Sequence, residues 1–116
     1  MNNEVNKNIV QSYAKMWNEH TSSLAEEILA DDYIDHAHPE LVGPQAIAKV
    51  VDKTLQAVSD FRIEMKSMIA EGDLVAFREI ITMTRQGETQ KLEGMSFVRI
   101  LNGKIVERWT CYDRNA

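Results

Sequence analysis

The sequence predicts an α+β fold in which three amino-terminal helices pack on one face of a curved, mainly antiparallel sheet. Apolar residues recur at helical spacing as far as Val58 and at a spacing of two beyond it, so helices come first and strands follow. That order segregates the two kinds of element into layers. Three turn signals, Glu71-Gly72-Asp73, Arg85-Gln86-Gly87-Glu88 and Asn102-Gly103, cut the second half into a meander of four long strands.

Val5, Ile9, Tyr13, Met16 and Trp17 give the first helix its apolar side, to about Asn18, with Asn2 or Asn3 as cap. Ser23 and Glu26 have capping-box spacing ahead of a short second helix that buries Leu24, Ile28 and Leu29. Asp31-Asp32 break that pattern, and Tyr33 to His38 reads as a short strand ended by Pro39. Gly43-Pro44 opens the third helix, since proline suits the first helical position, and Ile47, Val50, Val51, Leu55 and Val58 form its stripe. Phe61, Ile63, Met65 and Ile69 then alternate with Arg62, Glu64 and Lys66 as the first strand of the meander.

A chain of 116 residues, 44% hydrophobic and 27% charged, is expected to form one domain over 1–116 with a core that needs no metal or disulfide. The net charge of -5 argues against nucleic acid, which calls for a basic stripe. Cys111 has no partner for an internal disulfide, which fits a reducing compartment. The start, Met1-Asn2-Asn3-Glu4-Val5, lacks a basic, apolar leader, and no apolar run reaches the roughly 18 residues of a membrane span. A cytoplasmic protein with no membrane partner is expected.

In the last strand, Ile105, Glu107, Trp109, Cys111 and Asp113 share one face, and Val106, Arg108, Thr110 and Tyr112 the other. Two acids interleaved with a Trp suit the wall of an apolar pocket, so the first set is expected to face inward. The outward set would then leave Val106, Thr110 and Tyr112 on a surface more apolar than a monomer usually exposes. A homodimer through the sheet is expected.

Several motifs carry a family resemblance. They are Trp17-Asn18, the run from Ala30 to His36, Gly43, and Asn102 to Trp109 with Asp113 four residues on. In these the chain resembles the SnoaL-like polyketide cyclase branch of the nuclear-transport-factor-two superfamily, a cone-shaped α+β barrel of cystatin-like type. The resemblance implies a cofactor-free acid/base lyase, isomerase or cyclase acting on a small hydrophobic carbonyl compound inside the cone. Asp113 is implied as the general base that removes a carbon-bound proton, with His36 assisting. No cofactor is expected, because carbonyls next to the carbanion delocalise its charge. Tyr13, Trp17, Trp109 and Glu107 are expected to line the pocket.

Tyr13, in the context Val10-Gln11-Ser12-Tyr13, also resembles the first-helix tyrosine of ketosteroid isomerase. The two acids of that enzyme have no counterpart here, where Ser96 and Ala37-His38 stand nearest, so steroid isomerisation is disfavoured. His36 and His38 have the spacing of strand metal ligands, but no third ligand follows at matching spacing, and no metal centre is expected. The alternative to an enzyme is a binding module that holds a hydrophobic ligand without turnover, or a dimeric scaffold with a filled cone.

Overall fold

The protein is described from a computed structural model that covers residues 3–113. Helix α1 (Asn3–Asn18), helix α2 (Leu24–Ile28), strand β1 (Leu29–Asp35) and helix α3 (Pro44–Ala57) precede four strands, β2 (Arg62–Glu71), β3 (Leu74–Arg85), β4 (Glu88–Leu101) and β5 (Lys104–Asp113). They form one five-stranded sheet in the order β1-β5-β4-β3-β2, antiparallel except where β1 lies parallel to β5. The helices cover its inner face, as the change of period predicts.

Several boundaries differ from expectation. Helix α1 buries Asn6, Val10, Tyr13, Met16 and Trp17, while Val5 is half exposed. Asn6 sits inside because its amide donates to the Gly72 carbonyl at 3.3 Å. Asn3 is the first described residue of that helix, and Asn2 lies outside the described residues. The Ser23 side chain makes no cap bond, because its backbone is already helical rather than extended. Strand β1 starts at Leu29 and runs through Asp31-Asp32, which point into water; it ends before His36.

Both hairpin turns at Gln86-Gly87 and Asn102-Gly103 have positive φ at both central residues, as the primed turns of tight hairpins require. Gly43 is needed for a different reason. Its φ is +85°, and a Cβ there would meet the Asp31 carbonyl oxygen at 2.9 Å.

Two bulges reset which side chains face the core. In β2, the register slips between Lys66 and Ile69, where Ser67 takes a φ of 56°. Ile63 and Met65 therefore point inward before the slip and Met68 and Ala70 after it, which turns Ile69 out to 68% exposure. In β5, the pairing passes from Ile100↔Ile105 to Arg99↔Glu107, so Val106 is an extra residue. Ile105 and Arg108, three apart, are consequently both buried.

The core runs from Val10, Met16 and Trp17 on α1 through Ile47 and Val51 on α3 to Val75, Phe77, Val98 and Ile105 on the sheet. Among the described residues no helix is long and apolar enough to cross a membrane.

Candidate functional site

The mouth of the cone, between α1, α3 and the inner face of the sheet, encloses a cavity of about 160 Å³. Trp17 and Phe61 form one wall, their rings 4.7 Å apart. Ile47 and Val50 of α3 face Ile63 and Ile81 of the sheet across it. Polar groups enter from four directions: Tyr13 from α1, Asp35 from the end of β1, the exposed His38 from the turn that follows it, and Arg108 with Tyr112 from β5.

Arg108 is buried to 4% exposure and still charged. Burial opposes the charge, but Tyr13 and Glu79 facing it outweigh that and leave its pKa raised. Glu79, wholly buried on β3, is its ion-pair partner. Ser96 on β4 donates to Glu79 Oε1 at 2.9 Å and accepts from the Thr110 hydroxyl at 2.9 Å, and Arg108 Nε donates to Thr110 Oγ1 at 2.8 Å. The guanidinium is thus fixed by Nε and Nη2; among the described residues nothing accepts a hydrogen bond from Nη1. Its carbon lies 4.9 Å from the centre of the Tyr13 ring. Glu79 Oε2 is buried with no donor among the described residues.

Burial raises the Tyr13 phenol above its usual range, with Arg108 partly opposing, so it stays a proton donor at neutral pH. Tyr33 and Tyr112 are likewise raised by burial. Among the described residues the buried Trp17 indole N–H meets no acceptor in hydrogen-bonding geometry. Asp35 Oδ1 accepts the Ala37 N–H at 2.9 Å, which holds the carboxylate at the cavity as the chain leaves the strand. Gly94 makes room for Tyr112: a Cβ there would stand 2.7 Å from the Tyr112 ring.

Of the residues expected at the pocket, Tyr13 and Trp17 are among those that line this cavity, and His36, Glu107, Trp109 and Asp113 are not. The Val106 bulge inverts the alternation of β5, so Glu107, Trp109, Cys111 and Asp113 lie on the outer face, and Arg108, Thr110 and Tyr112 on the inner one. The expected apolar outward set of Val106, Thr110 and Tyr112 is corrected for the same reason. His36 follows β1 on the outer side, where it stacks on Trp109 at 4.9 Å and 10°. Its Nε2 lies 2.9 Å from Glu107 Oε1, and Arg99 bridges Glu107 Oε2 to Asp73, both bonds at 2.9 Å. The hydrogen bond from His36, assisted by Arg99, holds the Glu107 carboxyl below its usual range. Asp113, the last described residue, is exposed beside Met95 and Cys111.

Sequence reasoning missed Asp35, Arg108, Tyr112 and Glu79 as groups of the inner face. For Asp35 there was a signal: it shares a strand face with Tyr33, and so large an aromatic marks the buried side.

No curated protein matches the chain by sequence. Among solved structures it is similar to a SnoaL-like polyketide cyclase from Agrobacterium tumefaciens, at 16% identity and a TM-score of 0.81, over 96% of this chain and 93% of that one. It is similar to AclR from Streptomyces galilaeus at 24% identity and 0.81, over 97% and 81%. A protein with a ketosteroid isomerase-like fold from Catenulispora acidiphila matches at 18% and 0.78, over 90% and 85%. The model of the SnoaL-like polyketide cyclase family matches residues 7–116. With nearly its whole length matched and its helices closing a cone over a five-stranded sheet, the chain belongs to the SnoaL-like polyketide cyclase family.

Proposed function

We propose that this chain is a cofactor-free enzyme that moves a proton at the carbon next to a carbonyl, acting on a small hydrophobic compound held in the cone. The observation that carries the reading is the convergence of Asp35, Tyr13 and Arg108 on one largely apolar cavity. Asp35 takes the proton; the carbon–hydrogen bonding pair moves into the carbonyl and leaves an enolate oxygen. Tyr13 donates a hydrogen bond to that oxygen and Arg108 offsets its charge, the arrangement that stabilises a developing oxyanion. Return of the proton to another carbon gives an isomer, expulsion of a β-substituent gives a lyase reaction, and attack of the carbanion on a second carbonyl closes a ring.

Geometry favours Asp35 over Asp113 as the base, since Asp35 shares the cavity with the oxyanion donors. The test is exchange of α-hydrogens into deuterated water, followed by proton NMR over a panel of small ketones and diketones. Asp35→Asn is expected to abolish exchange and Asp113→Asn to keep it. The reverse result moves the base to Asp113, and ketone binding without exchange in the wild type favours the binding module.

The outer face of the sheet supports a homodimer. Met95 and Phe97 on β4 are 67% and 43% exposed there, beside Trp109.

A further inference from the structure

The cone cavity is small and already carries its full share of negative charge, and both facts bear on what it takes. The inference rests on the reading of this cavity as an enolising site. A space of about 160 Å³ compares with the roughly 150 Å³ cavity in which a single benzene ring fits. Its walls, Trp17, Phe61, Ile47 and Ile81, are large side chains, so no further ring enters without displacing one of them. Inside, Arg108 is the cation, and Glu79 is already paired with it. Asp35 is a second acid beside the same cavity, and the exposed His38 at its rim lies 3.8 Å from a further acid, Glu40. A ligand that arrives as an anion therefore finds the guanidinium neutralised and a carboxylate facing it, and meets a net cost on entering. A neutral carbonyl meets none, and its reaction shifts negative charge from Asp35 toward Arg108.

We infer that the substrate is a neutral, single-ring or equally compact carbonyl compound, and that the chain works on one ring rather than folding and closing an extended chain into fused rings. The inner cavity has a donor at Tyr13, a cation with one unbound nitrogen at Arg108, and room for one ring between them. The chemistry that supplies such a substrate is one that releases a small cyclic or short-chain ketone. Release of a multi-ring product does not fit the space.

The test uses phenol as a neutral mimic of a one-ring enol, 2-naphthol as the same group with one ring more, and benzoate as a one-ring anion. Binding is read by calorimetry on the wild type and by quenching of Trp17 fluorescence in Trp109→Phe. Trp17 is then the only indole, and the outer face is silent. Phenol is expected to bind, with 2-naphthol and benzoate weaker by at least about tenfold. Ile81→Ala is expected to recover naphthol binding by enlarging the cavity; the wild-type series decides the matter if that variant does not fold. Equal binding of phenol and naphthol overturns the size limit, and equal binding of benzoate overturns the neutrality. Either outcome leaves the enolising site standing. Failure of all three compounds to quench Trp17 removes the site and the inference together.

Discussion

The side-chain amide of Asn18 grips the backbone of Ile63 from both sides, donating to its carbonyl at 2.7 Å and accepting from its N–H at 2.8 Å. Strand β2 is the edge of the sheet, so this pair does for it what a neighbouring strand would do. It also sets the height of α1, and with it Tyr13 and Trp17, over the cavity. Asn18→Ala is expected to lower the unfolding free energy by about 1–3 kcal/mol, since both partners of Asn18 become unsatisfied. Urea denaturation with an unchanged m-value checks it.

The Arg108–Glu79 pair is expected to behave as a buried couple. Glu79→Leu alone strands the guanidinium and should cost about 3–5 kcal/mol, whereas Glu79→Leu with Arg108→Met should recover most of that loss. The double variant is expected to fold yet fail to support α-hydrogen exchange. A double-mutant cycle by chemical denaturation, with exchange followed in parallel, separates the structural from the chemical part.

Tyr13→Phe keeps the ring that packs against Arg108 and removes only the hydroxyl. If that hydroxyl donates to the enolate oxygen, α-exchange should fall by about 10²–10³-fold, the usual loss for one oxyanion donor, with stability little changed. Exchange rates at saturating ketone provide the check.

The pH dependence of stability should carry a contribution from Glu107. Its folded pKa lies below the unfolded value because of His36 and Arg99. The stabilisation is therefore present above the ordinary carboxylate pKa and is lost as pH falls through the folded value. Glu107→Gln is expected to flatten the acid side of a melting-temperature profile and leave the alkaline side alone. Thermal melts across the acid range, wild type against variant, measure this.

Trp109→Glu should convert a dimer to a monomer if the outer face of the sheet joins two copies, because a carboxylate would then be buried against Phe97 and Met95. Light scattering after size exclusion reads the mass directly, and α-exchange inside the cone should survive.

The layer order, the helix at Gly43-Pro44 and the hairpin at Asn102-Gly103 were legible because each rests on local chemistry: a period, a fixed φ, a residue that tolerates positive φ. Tyr13 and Trp17 were legible as pocket residues for the same reason, since a helix keeps its phase. The sidedness of the strands was not. Strict alternation carried Trp109 and Asp113 inward from Ile105, but one extra residue between them reverses every later side chain. Only the partner strand reveals a bulge, and the pairing of Arg99 with Glu107 across it is a long-range fact. For His36 the alternation was right and the choice of side was not, because the buried Tyr33 outweighs a histidine in deciding which face meets the helices.

Val106 thus acts on the cone as a frameshift acts on a message. Deleting this one valine would leave Ile105 and Arg108 two residues apart, so plain alternation would then hold both on the inner face; it is the extra residue, accommodated as a bulge, that makes a count from Ile105 come out inverted. An alignment that slides a gap by one position here would assign the wrong half of the strand to the chemistry.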